Sequence, residues 1–563
     1  MRSEAAPWTD ESMRRRPASR SIACPPSVRA AAAERARRVC VAVAVVTVMA
    51  ATALAPVSAQ RRAPGTGLTN APALARAYDA IFDAHFPAAT ARLEDACGRG
   101  WRGRTVARAG EASPHACRVL DLVSRWWQLQ ADPLDGTHDA AFAARVDQVV
   151  SETESWTAQE PARAEAWFYA GAAYGVRVQW RALRGERLAA ARDGKRIKDA
   201  LERALALDQD LQDAYFGIGL YHYYADVAPV AAKVLRWMLL LPGGDREAGL
   251  REMLRARSAG QVLRSEADYQ LHAVYLWYEK DTERALGLAR DLRERHPHNP
   301  LFAQAVADTE DVHLSDYAAS LRTWTALLAD ARASRVAWPE QTEVRARLGM
   351  ARQLDRLSET DLAIEHLRSV VAAAPAAPVG ALADAYLQLG DALDRMGAHD
   401  DARAAYDAAM ARTPIGDPLE TAARARGAQR RTPDRTAAQA YRLSLEGWRA
   451  LERGDLAEAG RAINRSLALR SADQLTRYRR ARLLLAQRHE RAAIEALEAV
   501  IAATDTPSHV YAAACFDAAQ ALERQGSTPR AIELYELTVA AFGVDPGAKS
   551  AAQRALARLT KPA

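Results

Sequence analysis

Residues 386–414 read "YLQLGDALDRMGAHDDARAAYDAAMARTP", and this stretch decides how the rest of the chain is read. Tyr386, Leu389, Leu393 and Met396 recur at three- and four-residue steps, the apolar stripe of an amphipathic helix. Gly397 closes that helix, because glycine takes a left-handed backbone at the C′ position without strain. Asp400 is expected to cap the next helix, its carboxylate accepting from the exposed N–H groups of the first turn. Ala402, Tyr406 and Ala409 then line one face, and Pro414 ends the helix. The result is a helical hairpin, with the small residues Gly390 and Ala402 placed where the two helices cross.

The pattern recurs along the chain. Downstream, "LEGWRALERGDLAEAGRAINRSLAL" supplies Gly447, Gly454 and Ala459 with Asp455 as the expected cap. Ala493 follows Ala459 by 34 residues, and a further unit places Gly526, a capping Thr528, Pro529, Ala531 and Tyr535 in the same order. Upstream units carry Leu348, Gly349, Ala363 and Pro375, then Leu271, Tyr275, Ala285 and Pro297. Trp167, Ala170, Gly171 and Tyr174 open a unit with longer helices. These spacings resemble the tetratricopeptide (TPR) repeat, in which a W-x2-L-G-x2-Y…A-x3-F…P pattern builds each helical pair. The resemblance implies an all-α fold, a TPR-type helical-hairpin solenoid wound as a right-handed superhelix. Divergent N-terminal helices would precede it and a capping helix would close it.

The expected organisation has a leader over 1–59, a flexible linker over 60–70 and a divergent helical region over 71–160. An array over 161–415 contains an aromatic-rich insert at 217–253. A linker at 416–436 leads to C-terminal repeats at 437–546 and a capping helix at 547–563. Trp126 and Trp127 are expected in the core of the N-terminal region. In the insert, "GIGLYHYYADVAPVAAKVLRWMLLLPGGDREAGLREM" crowds Tyr221, Tyr223, Tyr224 and Trp237 around Pro229. It resembles a segment of the inclusion-clearance TPR family and of similar bacterial envelope TPR proteins. Two readings stand: a kinked packing core between repeats, or a pocket for a lipid or small molecule.

Of the 563 residues, 76 are Lys or Arg and 70 Asp or Glu, a formal net charge of +6. Residues 1–59 hold nine of the arginines against four acids, so the remainder is close to neutral. A near-neutral body lacks the basic footprint of a nucleic-acid binder, and no nucleic-acid partner is expected. The leader itself, "RARRVCVAVAVVTVMAATALAPVSAQ", pairs an Arg-rich start with an apolar run and Val57-Ser58-Ala59 before Gln60. That is the layout of a secretory signal peptide cut after Ala59. An uncleaved anchor is the alternative, since the uncharged run is long enough to span a bilayer, and membrane contact would follow only from that. Export would place the protein in the periplasm or cell envelope, with Cys97 and Cys117 in an oxidising compartment. They would form a disulfide closing about 20 residues, worth roughly 3 kcal/mol, or remain as two buried thiols. Cys515 reads as a buried core thiol.

Signatures of catalysis are missing. "RDGKR" lacks the glycine pair of a phosphate-binding loop, and neither HExxH nor paired CxxC occurs. His296-Pro297-His298 reads as a surface loop. No cofactor, metal or catalytic residue is therefore expected. Function is expected in the concave groove that the TPR resemblance implies. Its lining positions fall on Asp384, Leu387, Asp391, Asp394 and Arg395, then on Tyr441, Ser444, Trp448 and Leu451. Leu475, Tyr478, Arg482 and Leu485 follow, and finally Phe516, Gln520, Glu523 and Arg524. Trp448 and Tyr478 are equally readable as packing within a repeat. The Lys/Asn set with which some TPR grooves hold a terminal carboxylate is absent, so an internal helix or extended segment of an envelope protein is the expected ligand. Such a protein is a non-catalytic scaffold.

Overall fold

Short amphipathic helices joined by tight turns account for the whole computed structural model, which describes residues 67–227, 243–541 and 546–561. The leader and most of the 60–70 segment lie outside the described residues. Four helices come first: α1 (Ala71–Phe82), α2 (Phe86–Cys97), α3 (Pro114–Leu129) and α4 (Asp139–Gln159). Pairs come next. They are α5 (Ala164–Leu183) with α6 (Arg187–Leu207), α7 (Ala214–Val227) with α8 (Arg246–Ala259), α9 (Arg264–Val274) with α10 (Thr282–Arg295), and α11 (Pro300–Asp308) with α12 (Tyr317–Arg332). α13 (Pro339–Arg356) then pairs with α14 (Thr360–Ala373), and α15 (Ala381–Arg395) with α16 (His399–Arg412). α17 (Thr421–Gln429) stands alone. Beyond it come α18 (Arg435–Glu452) with α19 (Leu456–Leu469), α20 (Gln474–Ala486) with α21 (Glu490–Ala502), α22 (Ser508–Arg524) with α23 (Thr528–Ala540), and the closing α24 (Pro546–Leu559).

Each described helix packs on the next except α17 on α18, and first helices of successive pairs also touch: α13 on α15, α18 on α20, α20 on α22. This nearest-neighbour pattern makes the described chain an all-α, helical-hairpin solenoid of TPR type. The crossings explain the sequence spacing. A Cβ added to Gly390 would stand 2.5 Å from the ring of Tyr406, and one added to Gly447 would stand 2.7 Å from Ile463. In both pairs the bulky residue lies sixteen positions after the glycine. Gly390 thus meets Tyr406 rather than Ala402, although Ala402 is fully buried in the same core. Gly397 has φ +82° and turns the chain into α16.

Two expected caps move. α16 begins at His399, so Asp400 lies in its first turn, where its charge faces the positive end of the helix dipole, and Ala398 occupies the cap. Likewise Ser527 precedes α23 and Thr528 is its first residue. Asp455 does cap α19, accepting from the N–H of Glu458 at 2.9 Å. The 416–436 linker is not a simple link, because Thr421–Gln429 is helical and buries Thr421, Ala425 and Ala428. Nor are the last residues of the 60–70 segment loose: the Gly67 N–H donates to Asp208 and the Thr69 hydroxyl to Glu165.

The N-terminal helices do more than precede the array. Phe82 of α1 stacks with Phe302 of α11, Trp127 of α3 meets the same ring edge-on, and Trp127 meets Tyr269 of α9 at 5.3 Å. The Asn299 amide donates to the Phe82 carbonyl at 2.7 Å, and Asp83 holds His298. Further along, Arg345 reaches the Ala131 carbonyl and the Val379 N–H donates to Asp132. The first helices of this half of the array are thereby covered from within the chain. Trp126 and Trp127 both belong to that core. Cys97 and Cys117 form a disulfide there, their Cα atoms 6.6 Å apart, joining α2 to α3. His296 corrects the surface-loop reading: it is buried against Phe82 and Phe302 and bonded to the Ser265 hydroxyl at 2.9 Å.

Glycine substitutions test this packing. Gly390→Val should overpack the Tyr406 crossing and cost about 1–3 kcal/mol in denaturant unfolding. Gly287→Ala, at an exposed helical site with nothing within 4 Å of the added Cβ, should instead raise stability by up to about 1 kcal/mol. Burial holds His272 and His296 down to about 4, below the free-imidazole value. The unfolded chain therefore binds more protons between about pH 6.5 and 4, and stability should fall as pH drops through that window. Thermal unfolding across the window should show the loss, and His296→Gln should flatten it.

Candidate functional site: a cleft beside the solitary helix

A single unpaired helix breaks the alternation of the solenoid. α17 packs on α15 and α16, and α18 then starts from a polar turn, Thr432-Pro433-Asp434, whose Asp434 side chain caps it. The break opens a cleft of about 850 Å³ between α15, α17 and the first turns of α18. Leu387, Asp391, Asp394 and Arg395 enter it from α15, Tyr441 from α18, and Arg424 and Arg431 from in or beside α17.

Its electrostatics are those of facing charges. The Tyr406 hydroxyl donates to Asp391 at 2.9 Å and to Asp394 at 3.1 Å, so the ring that fills the Gly390 crossing also orients both carboxylates. Burial pushes the Asp391 carboxyl up, against the pull of Tyr406 and Arg431. Arg431 reaches Asp391 at 3.3 Å, and Arg395 reaches Asp355 at 3.0 Å while its guanidinium stands over the Tyr441 ring. Arg424 and Arg431 are exposed, so their charges face the open side. A cleft of this kind offers donors, acceptors and one aromatic floor.

The other expected groove residues fare differently. Asp384 is buried and bonded to Gln388, and it does not line the cleft; Leu387 is 1% exposed and forms the cleft's inner wall. Ser444 is buried and accepts from Arg479 and Thr476. Tyr478 is buried, its hydroxyl donating to Asp517 at 2.9 Å, with Arg482 on the same carboxylate at 3.1 Å. Trp448 is half-buried beside Tyr478, with the Arg479 and Arg482 guanidinium groups near its ring. Both aromatics are thus packed against neighbouring repeats rather than within their own. Leu475, Leu485 and Phe516 are half-buried against the C-terminal core, and Leu451 against Ala450 and Ile463. Glu523 accepts from Tyr535, Arg524 pairs with Glu490, and Gln520 is half-buried on the same helix. The expected surface thus divides in two, an open cleft at 387–441 and a closed, internally bonded ladder at 444–524.

Sequence reasoning missed Arg424 and Arg431, assigned to a linker, and it missed Arg479 and Arg449. The 217–253 insert is described in part: 217–227 belong to α7 and 246–253 to the start of α8, while 228–242, with Pro229 and Trp237, lie outside the described residues. Gly219 and Gly249 let α7 and α8 approach within backbone contact. Among the described residues no cluster of His, Cys, Asp and Glu could hold a metal, and no helix is long and apolar enough to cross a membrane.

No family model matches the chain, and no curated protein matches it. Among solved structures the chain is similar to a Rap protein complexed with competence and sporulation factor, at 13% identity over 86% of this chain and 98% of that one, with a TM-score of 0.29. The TPR domain of P58(IPK) matches at 13% identity over 79% of this chain and 99% of that one, TM-score 0.20. Cut9, from its complex with Hcn1, matches at 12% identity over 86% and 90% of the respective chains, TM-score 0.24. At such TM-scores none of these likenesses bears on the architecture, which rests on the helical pairs described above.

One device fixes α18, and with it Tyr441, against the array. Arg449 donates to both oxygens of Asp361 at 2.7 and 2.6 Å and also to Glu359, at the turn between α13 and α14. Nearby the Tyr441 hydroxyl shares a hydrogen bond with Thr360 at 2.8 Å, and buried Arg479 donates to the Ser358 carbonyl at 3.0 Å. The same turn, 358–361, is therefore gripped by α18 and α20. Burial raises the Glu359 carboxyl, and Arg449 opposes that rise. Arg449→Ala should leave Glu359 half-buried without its cation and cost about 1–3 kcal/mol. Hydrogen exchange should quicken at 357–361 and at the N-terminal turns of α18, with the N-terminal helices unchanged.

Proposed function

We propose that the chain is an exported, non-catalytic scaffold that holds a segment of another envelope protein in the cleft beside α17. The observation that carries this reading is the opposition of Arg424 and Arg431 to Asp391 and Asp394 across an open cleft floored by Tyr441. Paired acids and guanidinium groups around one aromatic recognise a polypeptide that brings charges of both signs and one apolar side chain. An internal helix or extended segment fits better than a chain terminus, because no Lys/Asn clamp for a carboxylate lines the cleft. The leader supports export through its Arg-rich start, apolar run and Val57-Ser58-Ala59 ending.

The experiment is affinity capture from the cell-envelope fraction of the source organism. The native chain is compared with an Arg424→Glu/Arg431→Glu variant of unchanged helical circular dichroism. A partner held by the native chain, reduced at least about tenfold on the variant, is the expected result, since close charge pairs at interfaces carry that much coupling. The chain itself, recovered from the envelope fraction, should begin at Gln60. Equal capture by both forms would overturn the cleft as the binding surface, and recovery only from the cytosol with the leader intact would overturn export.

A further inference from the structure

A second space lies in the N-terminal half, on the far side of the array from the cleft in sequence, and nothing in the scaffold reading uses it. It is a cavity of about 640 Å³ with walls from α3, α5, α6, α7 and α9. The described lining is aliphatic and aromatic: Val123 and Trp126 from α3, Val176 from α5, Ile197 from α6, Tyr224 from α7. Volume and lining fall in the range of small-molecule sites.

Its glycines are informative because they differ. Gly171 and Gly217 are tight, with an added Cβ at 2.8 and 2.4 Å from Leu201 side-chain atoms, so packing explains them. Gly175, in the middle of α5, and Gly194, in the middle of α6, are not tight. A Cβ at Gly175 meets nothing within 4 Å, and one at Gly194 meets only the Tyr221 ring at 4.0 Å. Both glycines face the cavity. Glycine in a helix interior is less stable than alanine, and no contact with a described residue requires it at either position. What the two glycines preserve is room.

The wall also carries an unmatched polar group. Tyr169 is 1% exposed, lines the cavity, and its hydroxyl has no hydrogen-bond partner. Buried hydroxyls are normally paired, and those without a protein partner mark a place for another molecule. Beside it, Glu266 is buried, accepting from the Tyr78 hydroxyl at 2.9 Å and from the Gln270 amide at 3.3 Å. Burial raises that carboxyl. Asp213, the other acid of the lining, is occupied by the backbone N–H groups of Gln261, Val262 and Leu263 at 2.8–2.9 Å. Arg187, the cation of the described lining, is exposed at the first residue of α6. Among the described residues the lining offers apolar faces, acids and hydroxyls but no buried positive charge, so an anionic head would find no cation among them.

We propose that this cavity binds a neutral long-chain lipid, its apolar chain along the faces opened by Gly175 and Gly194 and its hydroxyl or amide head hydrogen-bonded to Tyr169. The site differs from an insert-centred pocket: α7 supplies one wall, and α3, α5, α6 and α9 supply the rest.

The test uses the full chain and the fluorescence of N-phenyl-1-naphthylamine, with 1-decanol and decanoate as competitors at pH 8. The dye should brighten on binding, and decanol should displace it at a concentration at least about tenfold below that of decanoate. Gly175→Leu should fill the space and abolish dye binding while helical circular dichroism is kept; Gly194→Leu serves if the first variant does not fold. Tyr169→Phe should retain the dye but weaken decanol about tenfold, the loss of one buried hydrogen bond. No brightening with the native chain, which is also the result if residues of the chain itself fill the space, overturns the proposal. Binding unchanged in the folded leucine variant overturns it too. Decanoate competing as well as decanol overturns the neutral head.

Discussion

The closeness of two helices at a glycine is the constraint on which this architecture depends. At Gly390 and at Gly447 the backbone of a first helix comes so near its partner that a single methyl group would collide with the residue sixteen positions later. That residue, Tyr406 or Ile463, fills the space the glycine leaves, so the pair sets both the distance and the rotation of the hairpin. A solenoid has no central core to correct errors, and each hairpin must be right by itself before it can receive the next. At Tyr406 the same ring then reaches past the crossing with its hydroxyl and fixes Asp391 and Asp394. Packing and site are one structure there, since the ring that fills the crossing also holds two carboxylates of the cleft.

A regular array of such hairpins would present one continuous groove, and this chain does not. Two irregularities divide it. The N-terminal helices lie across α9, α11 and α13 and bury their own aromatic residues there, so that half of the inner face is used up in folding. α17, lacking a partner, displaces the later helices so that α18 and α20 close onto the turn at 358–361 through Arg449 and Arg479. What remains open is the space beside α17 itself. The position of the candidate site is thus a consequence of where the repeat fails.

The parts of this that sequence carries are the local ones. Glycine-to-bulky spacing, the left-handed Gly397 and the capping Asp455 are all written within one hairpin, and periodicity retrieves them. Asp400 misled because a carboxylate three residues after a closing glycine looks like a cap, whereas α16 starts two residues sooner than that cap implies and uses Asp400 in its first turn. α17 was hidden by its composition: nine residues rich in Arg and Ala, with proline and glycine on either side, carry too short an apolar stripe to separate from a linker. His296 was hidden for another reason. Its neighbours in sequence are those of a loop, but its neighbours in space, Phe82 and Phe302, include one from more than two hundred residues away. Groove positions carried over from a regular repeat failed for the same cause, since Ser444 and Tyr478 are closed by Arg479 and Asp517, partners that no single repeat contains.

The cleft and the cavity differ in a way that bears on what each can hold. The cleft is walled by groups already satisfied by one another, Arg431 with Asp391 and Arg395 with Asp355, so a ligand there must exchange partners with charges that are exposed to water. Such exchange is nearly neutral in energy and favours selectivity and reversibility. Apart from Glu266 and Asp213, whose oxygens are already held by the Tyr78 hydroxyl, the Gln270 amide and backbone N–H groups, the described wall of the cavity is mostly apolar faces, open glycines and the Tyr169 hydroxyl. A ligand there gains by burial, and its one hydrogen bond replaces none. On the readings proposed above, one chain would combine a surface for transient polypeptide contact with an interior for tighter retention of an apolar molecule. Because α7 and α9 wall the cavity while α9 and α11 receive the N-terminal helices, filling the cavity would stiffen the half of the array that the cleft does not use.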